Sequence, residues 1–590
     1  MVGAATLFLA PHAMKPVKPT KPPLQITTER FNNARTGATL VETVLTPATV
    51  TADGFGKLFT RKVDGYIYAQ PLYLEHAPVG RGAYRNVVYV ATQHNSVYAF
   101  DADDPKASKP LWQINFGPTV PSADLDGGPW GVYQDISPEI GITSTPVIDT
   151  VSNTIFVVAK TKENGKYFQR LHALDIATGV ERKNSPVLIS PTVPGTGDGT
   201  ANGVVPFDPL KELQRSALLL NRGVLFIAFA SHADFPPFHG WVLAYDARTL
   251  APRGVFNTSP NGAGNGIWQS GCGLSADANG DVFAVTGNGT FDADADGPDY
   301  GNTVLRLHPT PTGMTVTDWF APHDQAELSA GDHDLGSSGP LYIPDQDKIV
   351  VGGKGKVLYL LNAKKLGKFS PSGDTQILQS FQGADGHIHG TPVYWNGETG
   401  PRIYLWSEFD HLKEFAFKEG ILNTTPASMS ADTVPDGMPG GFLTISANGN
   451  HKGSAVVWAS RPFLEDANRQ TVAGIFQAYD AEDLTKVLWS SENNPDRDRV
   501  GSFAKFNPPT VANGKVYLAT FSGELIVYGL LPKTAIPKAP PPNAVPPAIA
   551  PPNAVPPVNP PANVVPPANA PVNVVPPANP AAPANPAAKP

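Results

Sequence analysis

Cysteine is almost missing from this chain: Cys272 is the only one in 590 residues. That excludes an intramolecular disulfide, a Cys-x-x-Cys-His haem attachment and a zinc site made of several thiolates. Basic charge is also scarce. Lys and Arg number 44 against 52 Asp and Glu, and the formal net charge is −8. Three lysines lie in residues 1–24 and three in 532–590, with no acid in either segment, so the stretch between is more acidic than the whole. No basic stripe interrupts it, which excludes a nucleic-acid partner on electrostatic grounds. No run is long and apolar enough to span a bilayer as a helix. GxSxG and HExxH are absent. Gly352, Gly353 and Gly355 have the look of a phosphate loop, but a strand on each side leaves no helix N-terminus to hold the phosphate.

What the chain does have is a recurring phrase, an apolar strand that closes on Asp or Asn. It reads VYAFDAD at 97–103, LHALDIATG at 171–179, VLAYDARTL at 242–250, LYLLNAKKLG at 358–367 and FQAYDAEDL at 475–484. Each copy follows a shorter apolar strand, as in NVVYVAT (86–92), NTIFVVAK (153–160) and DKIVVGG (347–353). A unit too small to bury its own apolar face must stack on copies of itself. Short strands separated by Gly, Asn and Asp turns predict the blades of a β-propeller. Eight blade cores fall near 70–117, 142–190, 216–258, 273–320, 338–382, 390–425, 441–492 and 505–531. The last lacks an outer strand, while FGKLFTRKV (55–63) has no earlier partner. The expected fold is therefore all-β, an eight-bladed propeller over 25–531 closed by that N-terminal strand.

Two flanking segments differ in kind. Residues 1–24 hold an apolar run of signal-peptide length (2–10), without a basic region before it, and a Lys/Pro tether (14–23). This run favours an extracytoplasmic protein, periplasmic or secreted. Residues 532–590 repeat Asn-Ala-Val-Pro-Pro variants without an acid or an aromatic. Such a Pro-rich tail cannot build a core and is expected to be disordered, either a spacer or an inert extension.

Four segments carry chemistry-bearing residues at suggestive spacing: VTGNGTF (285–291), DHDLGSSGP (332–340), GGKGKVLYLLN (352–362) and KTKENGKYFQRLHALD (160–175). Together with the repeats, they resemble the eight-bladed pyrroloquinoline quinone (PQQ) dehydrogenases and their PQQ-like repeat relatives. The resemblance implies that Asn288 ligates an active-site calcium. It implies that Asp334, six residues before Pro340, is the catalytic base, and that Lys354, eight before Asn362, contacts the quinone. It implies that Glu163, one residue off the family offset, is the calcium-ligating Glu, with Trp268, about two residues off, the nearest match to the Trp beneath the quinone. The family's adjacent cysteine pair is absent, and GGPWGVYQDISPEIG (127–141) stands where its Arg segment would be. The chemistry is coherent. A hard cation takes Glu and amide oxygens and polarises a quinone carbonyl, a carboxylate takes the alcohol proton, and a Lys stabilises developing negative charge.

Two further groups stand outside that set. Asp292, Asp294 and Asp296, followed by Gly297, form the first half of a calcium loop, but Thr303 fills the twelfth position where a bidentate Glu belongs. His387 and His389 alternate in DGHIHGTPVYW (385–395), so an extended chain points both the same way and could begin a metal site. The sequence identifies no third ligand for them, and the reading is of satisfied loop histidines.

Two functions remain open at this level. One is a quinoprotein-like oxidoreductase that oxidises an alcohol or sugar through PQQ and calcium and, having no haem motif, passes electrons to a separate acceptor. The other is a non-catalytic propeller that presents loops to a protein or glycan at the cell envelope; in it Asn288 is a turn residue and Asp334 a loop acid.

Overall fold

Strands in this protein are apolar on both faces because each sheet is sandwiched between two others. In Thr154–Glu163, the residues Ile155, Val157 and Ala159 pack with Leu72, Val87 and Tyr89 of the preceding sheet. Their alternates Phe156 and Val158 pack with Leu225, Ile227 and Phe229 of the following sheet. The period-2 alternation of a strand thus divides its side chains between two cores, and an unbroken apolar run results.

In the computed structural model the described residues are 22–532, apart from 81, 129–130 and 311–312. The signal-like run, nearly all of the Lys/Pro tether and the Pro-rich tail from 533 onward lie outside them. Eight sheets of four or five strands succeed one another along the chain. They span 72–115, 147–188, 219–257, 275–320, 341–382, 393–433, 442–490 and 510–530, called blades one to eight below. Eight apolar clusters fill the junctions between neighbours, and the one that joins Tyr517 and Val527 of blade eight to Tyr73 and Val88 of blade one completes the ring. Burying each Leu or Phe in such a junction contributes roughly 1.5–3 kcal/mol. Among the described residues no helix is long and apolar enough to cross a membrane.

Blade eight is completed from the other end of the chain, as expected. Phe55–Lys62 pairs antiparallel with Glu524–Leu530, setting Phe55 opposite Leu530 and Lys62 opposite Glu524. Phe55 then sits against Trp458, Trp489 and Tyr528, with ring centroids 5.2, 5.1 and 6.3 Å away. Closure gives blade eight its fourth strand and fixes the ends by core packing.

A feature the sequence did not suggest lies just before that strand. Residues 24–42 form a belt that touches every blade in turn. The carbonyls of Leu24, Thr27, Asn33, Ala34, Thr36 and Gly37 accept the amides of Glu75, Ile148, Ala276, Tyr342, Tyr394 and Ile445, in blades one, two, four, five, six and seven. The Asn33 side chain bonds the Leu220 carbonyl in blade three, and the Glu42 carboxylate takes the Gly514 amide in blade eight. Gly37 has φ +70, and a Cβ there would stand 2.4 Å from Val393, so the belt can turn at that point only with glycine. Most of these contacts meet the first strand of a blade near or beyond its middle, and in blade eight the contact falls on Gly514, in the turn just after that strand. The first strands therefore surround the axis, with the belt at the end where they finish.

Candidate functional site

The other end of those strands holds a cavity of about 190 Å³. By comparison, an engineered apolar cavity of about 150 Å³ admits benzene. Its lining follows a rule of the fold: each blade from three to eight contributes a residue placed a few positions before its first strand. These are Arg215, Trp268, Asp334, His389, Met438 and Lys505. Turns after the second strands add Asp234 from blade three and Lys354 from blade five. The loop between blades one and two, pinned by pairing of Val120–Pro121 with Glu139–Ile140, brings Tyr133, Gln134 and Asp135 to the same space.

Three of the residues implied by the resemblance meet here. Lys354 Nζ is 2.6 Å from Asp334 Oδ2 and 3.1 Å from Asp332 Oδ1. Burial opposes the lysine's charge, but the Asp334 and Asp332 carboxylates hold its pKa above the ordinary lysine range. The backbone N–H of Asn288 donates to Asp334 Oδ1 at 2.8 Å, leaving the carboxylate clamped from both sides. Trp268 forms the adjacent wall, its Nε1 donating to the Ser231 carbonyl at 3.1 Å. Gly287 is what lets these parts touch: a Cβ there would lie 2.3 Å from Asp334 Oδ1 and 2.7 Å from the Trp268 ring.

The residues assigned to calcium do not converge. Asn288 Oδ1 already accepts the Asn302 amide at 2.9 Å, and its Nδ2 donates to Asp332 Oδ1 at 3.0 Å. Glu163 is carried away by a long hairpin, in which Thr154–Glu163 pairs with Lys166–Asp175 up to Glu163 opposite Lys166. Its carboxylate forms a bidentate pair with Arg170 and accepts the Thr161 hydroxyl, and it does not line the cavity. The Asp292, Asp294 and Asp296 carboxylates do not gather either. Asp292 Oδ1 accepts the Asp299 amide at 2.7 Å, while Asp294 and Asp296 are exposed. The donors present do not fit calcium in the arrangement the resemblance implied.

Sequence reasoning missed the cavity's cations on the opposite side. Arg215 packs its guanidinium 4.3 Å from the centre of the Phe506 ring, yet makes no side-chain hydrogen bond or salt bridge to any described residue. Every other charged side chain of the lining has a partner. Lys505 Nζ donates to the Ala467 and Asn468 carbonyls, and Arg469 is 3.6 Å from Asp135. Burial lowers the Lys505 pKa to about 8. Asp234 is exposed at the cavity mouth, and crowding by the surrounding atoms together with the Asp334 charge raises its pKa to about 7. The signal available in the sequence was position, since these polar residues stand shortly before a blade's first apolar strand.

No protein-family profile matches the chain, and no curated protein matches it. Solved structures of similar fold include a quinohemoprotein alcohol dehydrogenase from Pseudomonas putida HK5, 14% identical over 89% of this chain and 83% of that one, with a TM-score of 0.47. A quinohemoprotein alcohol dehydrogenase from Comamonas testosteroni is 13% identical over 87% and 82%, with a TM-score of 0.49. A europium-containing methanol dehydrogenase is 13% identical over 86% and 98%, with a TM-score of 0.49. Likeness at this level concerns the fold alone.

Proposed function

We propose that the axial cavity binds a planar, carboxylate-bearing ring and that the protein is a quinoprotein-like oxidoreductase acting on an alcohol or sugar. The observation that carries this reading is the Arg215 guanidinium, which feels the Asp135 and Asp234 charges but has no hydrogen-bonded acceptor, facing a cavity walled by Trp268 and the Asp334–Lys354 pair. A cation left without an acceptor in a partly desolvated site is costly unless an anion completes it. The donor set fits PQQ: Trp268 offers an aromatic face, and Arg215 and Lys354 offer charge to carboxylate and quinone oxygens. When bound, that group supplies a two-electron acceptor. Asp334 takes the substrate's hydroxyl proton, held in position by the Asn288 amide and Lys354. Lys354 keeps positive charge beside the reacting oxygens. Calcium has no part in these steps. With one cysteine the chain has no covalent haem attachment, so electrons pass to a separate acceptor. We place the protein outside the cytoplasm in this reading.

The disengaged positions of Glu163 and Asn288 favour a second reading, a propeller that binds an anionic ligand without turning it over. One experiment separates the two. PQQ is titrated into the wild-type protein and into Asp334→Asn, followed by calorimetry and by dye-linked turnover of an alcohol and sugar panel. The catalytic reading expects tight binding in both proteins and turnover only in wild type. Binding with no turnover in wild type selects the second reading, and no binding at micromolar PQQ removes the first.

A further inference from the structure

Beside the cavity, blade six brings together three ligand-type side chains that the oxidoreductase reading does not use. His387 and His389 precede its first strand, Val393–Gly397, and Glu408 lies in the turn after its second, Gly400–Leu405. The potential ligand atoms of the three all lie within 4.8 Å of one another, the only such trio of His, Cys, Asp or Glu found among the described residues. His389 Nε2 is 2.9 Å from Glu408 Oε1, and His387 Nδ1 is 3.2 Å from Glu408 Oε2.

Those distances invite the simple account of hydrogen-bonded pairs, and the alignment contradicts it for the buried pair. His389 and Glu408 are each 3% exposed, and both His389 Nε2 and Glu408 Oε1 lack a hydrogen-bond partner despite their proximity. The contact is an ion-pair approach that holds the Glu408 carboxyl low, with an angle too poor for a well-formed hydrogen bond. Three ligand-type atoms within 4.8 Å of one another, with the buried pair poorly aligned for a hydrogen bond, are arranged as around a common centre. Bonds of 2.0–2.2 Å from a tetrahedral ion would separate its ligands by about 3.4 Å, close to the spacing seen. The neighbourhood also fixes the two loops. The Glu408 amide donates to the His387 carbonyl at 3.2 Å, the Ile388 amide donates to the Gly353 carbonyl, and the Ser337 hydroxyl donates to the Ile388 carbonyl at 2.7 Å.

We infer that His387, His389 and Glu408 bind a divalent first-row transition ion of the zinc class. Two imidazoles and one carboxylate suit such borderline ions and are poor ligands for calcium or magnesium. Three protein ligands leave a coordination position for water or an anionic oxygen, the arrangement of sites that keep an open position. Because His389 also lines the cavity, the ion would stand at the cavity's border. The inference does not depend on quinone binding.

The test uses untagged full-length protein stripped with a chelator. Zinc is titrated by calorimetry and cobalt by visible absorbance. We expect one equivalent of zinc at submicromolar dissociation constant, not displaced by excess calcium, and cobalt ligand-field bands characteristic of low coordination number. Glu408→Gln and His389→Ala each weaken zinc by at least about tenfold. His387→Ala, at a half-exposed position, does the same and serves where a buried substitution prevents folding, as judged by circular dichroism. Absence of zinc binding in wild type overturns the inference. So does one equivalent bound with equal affinity by wild type, Glu408→Gln and His387→Ala.

Discussion

The two ends of the propeller axis each bury arginine, and they treat it in opposite ways. At the belt end, Arg35 is fully buried, and its guanidinium donates to the Leu274, Glu29 and Leu218 carbonyls and to the Thr28 hydroxyl at 2.6–3.1 Å. Arg30 reaches the Arg35, Thr391 and Pro392 carbonyls. At the cavity end, Arg215 is a half-buried cation with an aromatic ring beneath it and no acceptor. A cation whose donors meet mostly backbone carbonyls is part of the scaffold, since its removal would orphan those oxygens. A cation with no hydrogen-bonded acceptor is free to take one, which is the part the proposed function gives Arg215. Burial alone does not separate structure from function here; completion of the hydrogen bonds does.

The largest test breaks the comparison at the belt. Deleting residues 1–50 keeps the closing strand but removes the belt, which bonds to all eight blades. We expect insoluble protein, or a melting temperature far below wild type. Deleting 1–65 also strips the outer strand from blade eight and exposes an edge, so aggregation should be at least as severe. A soluble 1–50 deletion with an unaltered melting temperature would reduce the belt to a passive covering.

Next come the two arginines themselves. Arg35→Ala should cost about 3 kcal/mol or more, read by chemical denaturation, because buried carbonyls lose charge-assisted bonds. Arg215→Ala should change stability by no more than about 1 kcal/mol, since it removes one ring contact along with a poorly solvated charge. Its effect belongs in binding, where PQQ affinity should fall about tenfold or more. A reversal, with Arg215→Ala unstable and Arg35→Ala merely weak in binding, would undo the distinction.

This contrast also explains what could be read from the sequence. Blades were legible because each strand such as Val224–Ser231 is buried on both faces, so its composition alone reports its place. The closing strand was legible because blade eight was one strand short. Asp334 and Lys354 were read from their spacing to Pro340 and Asn362 in segments that resemble a known family, and Trp268 only loosely, about two residues from the expected offset; that all three line one cavity follows from the ring. The belt was not legible, because it is held mostly through its backbone carbonyls, which no side-chain pattern encodes. Glu163 was misplaced because the length of its hairpin depends on pairing, which the sequence does not print. Glu408 was missed as a partner of His389 because the turn that returns it, with Phe409 at φ 57, has no signature of its own.

The smallest effect sharpens the cavity's electrostatics. Asp234 ionises in the fold at about pH 7, raised from 3.8 by the crowding of surrounding atoms and by Asp334. That proton governs ligand binding. Below about pH 7 Asp234 is neutral and the cavity carries one less negative charge. Lys505, with its pKa near 8, is also fully charged there and loses charge only at higher pH. Both changes act in one direction, so affinity for an anionic ligand should rise as pH falls through 7, by at most about tenfold per unit for each linked proton. Asp234→Asn should flatten the lower part of that profile and leave the part near pH 8 that belongs to Lys505. Calorimetric titrations of PQQ across this range separate the two. An unchanged profile in Asp234→Asn would mean that the ligand does not sense this end of the axis, and Arg215 would have to find its anion elsewhere.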